Sequence, residues 1–425
     1  MPEPLSGITV LELTVALQGP SAGLYLRDQG AEVIKIEPPM GDAQRHHRGI
    51  NNASPPDALA PGFIAVNRGK KSVCIDLHQP TGREVVTRLL DKTDVLLTNY
   101  REPFLRAIGL DYDSLAQSHP QLVWARVNGF GPRGPDANKP MLDGAAQARG
   151  GLLSVSGYPG QTPTGPGAAI ADLSGGLQLA LGVMTALFAR AQHGRGQKVE
   201  TSSLGSQLWL QQWELTQSSI TGQPLRAKGA FLPNVEGTYG IYSTKDGGAF
   251  MLAVARDEES WDALCIFGGM FELIGDETWN SPAKRMGAPG MESADELREV
   301  LKRGFASHTT AEWTEFMYSQ PNIIMERVRD HAEVLTDEQN IANEYVVPLD
   351  LGVHGEKMVI GNLVQMSETP GSVKGPVPER GQHTAEVMAE LGFSDEDITQ
   401  ADRDAETTRQ ELLDGAAEAD HEGDP

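Results

Sequence analysis

"ITVLELTVALQGPSAGLYLRDQGAEVIKIE", residues 8–37, places a helical pattern between two short apolar runs. The runs "ITVLEL" (8–13) and "EVIKIE" (32–37) are rich in β-branched residues, which is typical of buried strands. The segment between them, "GPSAGLYLRDQG", has the spacing of an amphipathic helix. A strand, a helix and a second strand in this order predict a parallel pair joined by a right-handed crossover.

The same alternation continues beyond this stretch. Further strand-like runs are "SVCIDL" (72–77), "DVLLTN" (94–99), "LVWARV" (122–127) and "QKVETS" (197–202). Further helical patterns are "QPTGREVVTRLLDK" (79–92), "SLGSQLWLQQWELTQ" (203–217) and "HTAEVMAELGFSDEDI" (383–398). We therefore predict an α/β fold whose large domain is a doubly wound parallel sheet.

The chain has 425 residues, which is more than one compact core of ordinary size holds, so we expect two domains. Around residue 222 the pattern changes, and "GTYGIYSTKDGGAFMLAV" (237–254) predicts a hairpin around a Lys-Asp-Gly-Gly turn. We predict a large domain over 1–221 that is completed by 336–425 and so contains both termini. A smaller α+β domain then covers 222–335. After about residue 413 the tail is acidic and polar, and we expect it to fray.

Composition and charge exclude several classes of protein. The apolar fraction is 39% and the charged fraction 22%, which is typical of soluble globular proteins. A net charge of −23 argues against nucleic acid and acidic membrane surfaces as partners. We find no uninterrupted apolar run of the roughly 18 to 20 residues that a membrane span needs. The first residues, "MPEPLSGITV", lack the pattern of a secretory signal.

The chain has two cysteines, Cys74 and Cys265, which are too few to staple a protein of this length. Neither has the neighbours of a metal site, so we expect no metal. We also expect no permanently bound cofactor. Buried thiols in a reducing compartment are the simplest interpretation, and we expect a cytoplasmic protein.

A single carboxylate stands out in "AAIADLSGGLQLALGVMTALFARAQHGRGQKV" (168–199), where Asp172 precedes a long helical pattern. The ordinary interpretation is a helix cap, whose oxygen accepts from amides of the first turn. The alternative is a nucleophile, with Gly175 and Gly176 offering backbone amides to a developing oxyanion. Asp143 opens the preceding helical segment in a similar way.

Other motifs carry less weight. Gly129-x-Gly131-x-x-Gly134 follows a predicted strand, but Pro132 and Pro135 disfavour the helix that a dinucleotide site needs. A phosphate-binding loop of the Gly-x-x-x-x-Gly-Lys type is missing from the sequence, and "SSLGSQ" (202–207) lacks the first glycine of a serine-hydrolase elbow. The basic cluster "NRGKKS", with Arg68, Lys70 and Lys71, could oppose the global charge and hold a small anion.

Several segments together resemble family III CoA-transferases, which include formyl-CoA:oxalate and carnitine CoA-transferases and, as a branch, α-methylacyl-CoA racemases. The resemblance covers nearly the whole chain. Its segments are "PLSGITVLELTVALQGPSAGLYLRDQGAEVIKIEPPMGD", "NRGKKSVCIDL", "DVLLTNYREPFLRAIGL", "VWARVNGFGPRGP", "IADLSGG…HGRGQKVETS" and "GQHTAEVMAELG".

The resemblance implies that Asp172 is the nucleophile, that Asp143 supports it and that Gln18 takes part in catalysis. It also implies that coenzyme A or acyl-CoA, as a substrate, lies over the carboxyl ends of the first-domain strands. Matching positions are Gln18, Ile75, His78, Asn99, Tyr100 and Arg101. Members of the family form an interlocked homodimer of ring-like subunits, which we expect here too.

Two positions depart from the family pattern. An arginine expected after the second strand is Pro38 here, and another expected before "IGL" is Ala107. As substitutes for these phosphate contacts we predict Arg101, Arg106, Lys70 and Lys71, with Arg68 beside them.

The expected activity is transfer of CoA from an acyl-CoA to a carboxylic acid through an aspartyl anhydride and an aspartyl-CoA thioester. Proton transfer of the racemase type is the alternative, but the stretch "DANKPMLDG" lacks the histidine that the racemase branch carries there. A third possibility is a non-catalytic CoA-binding protein. The identities of the donor and acceptor acids stay open.

Overall fold

A computed structural model describes residues 2–47, 60–287 and 294–422 of the chain. Eleven strands lie in these ranges: β1 (Thr9–Leu13), β2 (Glu32–Glu37), β3 (Lys71–Cys74), β4 (Val95–Thr98), β5 (Val123–Asn128), β6 (Lys198–Ser202), β7 (Gly240–Ser243), β8 (Ala249–Ala255), β9 (Ile323–Arg327), β10 (Val346–Asp350) and β11 (Glu356–Ile360).

The helices in the described part of the chain connect and cover these strands. They are α1 (Gln18–Asp28), α2 (Pro61–Asn67), α3 (Pro80–Leu90), α4 (Glu102–Ala107), α5 (Tyr112–Leu115), α6 (Asp143–Arg149), α7 (Ile170–His193), α8 (Ser203–Leu210), α9 (Gln212–Thr221), α10 (Glu258–Gly268), α11 (Pro282–Arg285), α12 (Asp295–Phe305), α13 (Thr310–Ser319), α14 (His331–Thr336), α15 (Glu338–Ala342), α16 (Thr384–Glu390) and α17 (Asp395–Glu422).

The first six strands form one parallel sheet in the order β3-β2-β1-β4-β5-β6. This is the doubly wound arrangement that the alternation of strands and helices predicts, and the prediction is confirmed. The strand order reverses between β1 and β4. In open α/β sheets, ligands bind outside the carboxyl ends of the strands at such a reversal.

Both faces of the sheet are covered, which explains why its strands are nearly continuous apolar runs. Leu11, Leu13 and Ile34 point into a core on one face. Val10 and Val33, which alternate with them, point into a core on the other face, where α1 and α7 pack. The period of two residues along each strand thus places every apolar side chain in one of two cores.

By contact density the chain divides into two compact units. The first unit comprises Met1–Gly150, Ala169–Leu210 and Leu335–Pro425, and the second comprises Gly151–Ala168 and Gln211–Val334. The second unit contains the antiparallel sheet β7-β8-β9, including the predicted hairpin, with a core around Trp261 and Trp313. The domain boundaries at 221/222 and 335/336 stay a prediction.

Three helix predictions need correction. The segment 203–217 forms two helices, α8 and α9, and the segment 383–398 is divided between α16 and α17. In the second case Gly392, with φ of 79°, ends the helical path in the left-handed region that favours glycine. The tail expected to fray after residue 413 continues α17 to Glu422, in a stretch rich in alanine and glutamate.

The long helix α7 also differs from expectation. By length and composition alone it could cross a membrane, since 18 of its residues reach a mean hydropathy of 1.4. In the first unit it packs against α1, α6, α8, β5 and β6. These contacts bury one face of α7, whereas Leu177, Leu181 and Phe188 lie on an exposed face.

Candidate active site

Four polar side chains or backbone groups from separate elements meet at the carboxyl edge of the sheet. Gln18 begins α1 after β1, Asn128 ends β5, and Ser203 begins α8 after β6. Asp172 lies in the first turn of α7. Hydrogen bonds connect these residues, and each of them belongs to the first unit.

Asp172 is not a helix cap, so the ordinary interpretation is wrong. Helix α7 begins at Ile170, and the preceding residue, Ala169, makes no side-chain capping hydrogen bond. Instead the Asp143 carboxylate approaches from α6. Its Oδ1 accepts from the backbone amides of Ala171 at 2.8 Å and of Asp172 at 3.0 Å. Asp143 therefore satisfies the first turn, and the Asp172 side chain is left for another task.

The electrostatic setting of Asp172 raises its pKa to about 6. Burial is the largest cause, the negative charge of Asp143 adds to it, and a hydrogen bond from Ser203 acts in the opposite direction. The positive end of the helix would favour the ionised form, but burial and the like charge outweigh it. The carboxylate is still mostly ionised at pH 7.

The side-chain amide nitrogen of Gln18 donates two hydrogen bonds. Its Nε2 donates to the backbone oxygen of Asn128 at 3.1 Å and to Ser203 Oγ. The Ser203 hydroxyl lies 3.5 Å from Asp172 Oδ1. The structure thus brings predicted Gln18 to predicted Asp172 through Ser203, a residue that sequence reasoning considered only as part of a hydrolase motif and set aside.

The prediction that Gly175 and Gly176 offer their backbone amides to an oxyanion is wrong. Gly175 and Gly176 lie inside α7, where the helix uses their amides in its own hydrogen bonds. They permit close packing instead. A Cβ at Gly176 would lie 2.0 Å from Ser21 Oγ and 2.6 Å from the Gln18 backbone oxygen. These glycines bring α7 against the start of α1.

Hydrogen bonds fix three successive residues of the loop from Thr14 to Leu17, which precedes Gln18. Lys35 Nζ donates to the Thr14 backbone oxygen at 2.7 Å. Asn99 donates to the Val15 oxygen at 2.8 Å and accepts from the Val15 amide at 3.0 Å. Asp42 accepts from the amide of Ala16 at 3.0 Å, which has a φ of 66°. Such strained backbone persists only where its surroundings hold it.

The prediction that "NRGKKS" holds an anion is wrong for two of its three cations. Lys70 is fully buried and binds Glu12 at 2.8 Å, and Arg68 is buried and binds Asp28 at 2.5 Å. Lys71 remains partly exposed but lies 3.0 Å from both Glu32 and Glu386. Lys70 and Arg68 neutralise internal carboxylates, because a buried charge without a partner would be costly, whereas Lys71 pairs with carboxylates that are about half exposed.

The remaining predicted CoA-binding residues lie after β3 and β4. Ile75 is buried in the core, whereas His78 is exposed. Tyr100 and His78 each make an edge contact with Phe104, at centroid distances of 5.4 and 6.3 Å. Burial raises the pKa of Tyr100 to about 12.

Two arginines are available beside this aromatic group. Arg101 precedes α4 and is exposed. The Arg106 side chain is 66% exposed and lies only 3.7 Å from Glu102, a weak surface pair. Of the cations predicted to hold phosphate, these two keep their charge accessible.

The fold and this carboxylate centre define an α/β protein with a candidate active site at the carboxyl edge of a parallel sheet. Comparison with known proteins specifies the class. The model of CoA-transferase family III matches residues 5–384, which is nearly the whole chain.

Curated relatives agree with this match. Succinyl-CoA–D-citramalate CoA-transferase from Chloroflexus aurantiacus is 32% identical over 406 residues, covering 93% of this chain and 96% of its own. Succinate–glutarate CoA-transferase from Agrobacterium fabrum is 30% identical, with coverages of 91% and 96%. Formyl-CoA:oxalate CoA-transferase from Bradyrhizobium diazoefficiens is 29% identical, with coverages of 94% and 96%.

A solved structure of a CAIB/BAIF family protein from Brucella suis superposes with a TM-score of 0.79 at 28% identity, covering 92% of this chain and all of that one. The chain belongs to CoA-transferase family III, which confirms the resemblance. It is an enzyme that transfers CoA between an acyl-CoA and a carboxylic acid.

Proposed function

We propose that Asp172 carries the transfer as a covalent nucleophile. Its Oδ2 attacks the thioester carbon of the donor acyl-CoA, the carbon–sulfur bond breaks and CoA leaves as the thiolate. The product on the enzyme is a mixed anhydride between Asp172 and the donor acid. Covalent catalysis of this kind divides one difficult exchange into easier steps.

The thiolate then attacks Cγ of Asp172 and expels the donor carboxylate, which leaves an aspartyl-CoA thioester. The acceptor carboxylate attacks the same Cγ, forms a second anhydride and releases the thiolate. Attack of the thiolate on the acceptor's acyl carbon yields the new acyl-CoA and restores the Asp172 carboxylate. Each step exchanges one bond for another, and no proton is consumed.

One observation carries this proposal: Asp172 is a partly buried carboxylate whose helix amides are already satisfied by Asp143. A pKa of about 6 leaves it ionised at neutral pH, yet more basic than an ordinary aspartate. A carboxylate in that state is a competent nucleophile, and its partial burial limits access of water to the anhydride.

The coenzyme is proposed to bind across the carboxyl ends of β1, β3 and β4. Asn99 and the aromatic group of His78, Tyr100 and Phe104 would contact its nucleotide part, whereas Ile75, whose side chain is buried in the core, would offer only its backbone. Arg101 and Arg106 would hold phosphate groups. Cationic side chains beside aromatic rings suit a nucleotide, which offers both a planar base and negative charge. Gln18 would contact the acyl end.

The assembly and setting of the enzyme are also proposed. α7 presents Leu173, Leu177, Leu181 and Phe188 to solvent at helical spacing, and these residues are 40–67% exposed. Such a stripe supports a homodimer in which a second copy covers it. Both cysteines are free and buried, as expected in the cytoplasm. CoA would be a substrate, with no cofactor bound permanently.

Two relatives are named for succinyl-CoA or succinate with dicarboxylic acids. We therefore propose succinyl-CoA as the first donor to test, with short dicarboxylic acids as acceptors ahead of monocarboxylic ones.

Trapping tests the nucleophile. Incubation with succinyl-CoA and then hydroxylamine should modify Asp172, and peptide mass analysis of residues 168–190 should locate the change. D172N keeps the size of the side chain but removes the nucleophile, so transfer should fall to background and no adduct should form. Wild-type turnover by D172N would contradict the covalent route, as would an unmodified 168–190 peptide during turnover.

A further inference from the structure

Ser203 contacts the proposed nucleophile, yet the steps above do not use it. It is fully buried at the start of α8, and its Oγ accepts from Gln18 Nε2. The amide nitrogen can only donate, so the single hydroxyl proton of Ser203 stays available for an acceptor. Asp172 Oδ1, at 3.5 Å, is the acceptor it faces.

The surroundings fix this hydroxyl in place. Gln18 is held from its other side by the Asn128 backbone oxygen. A Cβ at Gly175 would lie 3.3 Å from Gln18 Nε2 and 3.5 Å from Ser203 Oγ, so the glycine leaves room where these two side chains meet. The hydrogen bonds run from the β5 edge through Gln18 and Ser203 to Asp172.

We propose that Ser203 is a catalytic residue that donates to Asp172 Oδ1 and stabilises the negative charge that forms there when Cγ of Asp172 is attacked. This inference rests on the proposed function of Asp172. With Oδ1 held by Ser203, the other oxygen, Oδ2, is the one that attacks the donor.

The bonds made and broken are as follows. In the anhydride, Oδ2 bridges Cγ of Asp172 and the donor's acyl carbon, and Oδ1 is the remaining carbonyl oxygen. The CoA thiolate forms a bond to Cγ, and the carbonyl electron pair moves to Oδ1. When the carbonyl reforms, the Cγ–Oδ2 bond breaks and the donor acid departs as a carboxylate with Oδ2. Ser203 keeps its proton throughout.

A distance of 3.5 Å is long for a resting hydrogen bond, and catalytic contacts of this type shorten in the reacting complex. Charge on Oδ1 would strengthen the contact, since hydrogen bonds to an ionised acceptor are shorter and stronger. Donors aimed at a developing oxyanion in a buried site contribute greatly to rate.

The role of Ser203 differs between steps. When Asp172 attacks the donor thioester, charge forms on the donor's carbonyl oxygen, away from Oδ1. When thiolate or acceptor attacks Cγ, charge forms on Oδ1. Loss of Ser203 should therefore slow the steps at Cγ more than the first step. The donor anhydride would persist longer and be lost to water more often.

The experiment measures, for S203A, how much of the donor's CoA is transferred to the acceptor and how much is released by hydrolysis. The enzyme is given succinyl-CoA and a dicarboxylic acid that the wild type accepts, and acceptor-CoA and free CoA are quantified together. We expect transfer to fall about a hundredfold, with a clear rise in the ratio of hydrolysis to transfer. This ratio is independent of how much of the variant folds.

S206A is the matched control. Ser206 is also buried on α8, but its hydroxyl bonds to Ser174 and to backbone oxygens. We expect its ratio of hydrolysis to transfer to equal that of the wild type.

An unchanged ratio of hydrolysis to transfer in S203A, meaning that both activities are kept or lost equally, would overturn the role of Ser203. Asp172 would still stand as the proposed nucleophile if the wild type gives the trapped adduct. If the wild type gives no adduct at Asp172, the proposed function fails instead.

Discussion

At the scale of single residues, two carboxylates lie close together at the start of α7. Asp143 satisfies the amides of Ala171 and Asp172, and its negative charge helps to raise the pKa of Asp172. Like charges so near each other disfavour ionisation. The pair therefore connects the folding of the helix start with the basicity of the proposed nucleophile.

D143N should shift the acid limb of the pH profile of kcat/KM to lower pH. In the wild type we expect that limb near pH 6, where Asp172 becomes protonated. Asparagine keeps an oxygen for the two amides but removes the charge that helps to raise the pKa of Asp172, so the acid limb should move to lower pH.

D136N is the control for this measurement, because Asp136 pairs with Arg149 near α6 and is not among the charges that act on Asp172. Its acid limb should match the wild type. A D143N profile that keeps the wild-type limb, or moves it upward, would contradict the electrostatic role of Asp143.

At the scale of elements, α1 and α7 approach so closely that only glycine fits at their contact. The Gly176 position faces Ser21 Oγ and the backbone oxygen of Gln18. The start of α1 is held from its other side, because hydrogen bonds fix the preceding loop residues Thr14, Val15 and Ala16. The position of Gln18 therefore depends on the packing of two helices and on a pinned loop.

G176A should lower both stability and transfer. The added Cβ would overlap atoms 2.0 and 2.6 Å away, so α1 must move, and overpacking of this kind costs about 1–3 kcal/mol. Thermal unfolding and the rate of CoA transfer measure the two effects.

G415A on α17 is the control, because a Cβ there meets no atom within 4 Å. Alanine also favours the helix at an open position, so its Tm should equal or slightly exceed that of the wild type. Wild-type Tm and transfer in G176A would show that the contact between α1 and α7 does not require glycine.

At the scale of the whole molecule, the stripe on α7 is an apolar surface that one copy of the chain leaves uncovered. Leu177, Leu181 and Phe188 are 58–67% exposed, and contiguous apolar surface of this kind usually binds a partner.

L181E should convert a dimer to a monomer. A carboxylate placed in a dry interface loses its hydration without gaining a partner. Light scattering after size-exclusion chromatography measures the mass. Q192E adds the same charge to an exposed position near the end of the same helix and should remain dimeric. A wild-type monomer, or a dimeric L181E, would contradict the proposed interface.

Much of the first unit follows from local sequence pattern. Strands such as 32–37 and the hairpin around the Lys-Asp-Gly-Gly turn lie where the sequence predicts them, because the apolar period and the turn residues act over a few positions. Helix ends were less predictable, as α8 and α9 show, because a break inside an apolar segment depends on what packs there.

The sequence alone determined the parallel α/β class and singled out Asp172, since both depend on neighbours along the chain. Only the tertiary structure decided which charges are accessible and which residues surround Asp172. Lys70 looks like a surface cation in its own segment, but its partner Glu12 lies 58 residues away. Ser203 is 31 residues from Asp172. These contacts form only when the sheet and its helices pack together, because a charge or hydroxyl buried without a partner costs free energy.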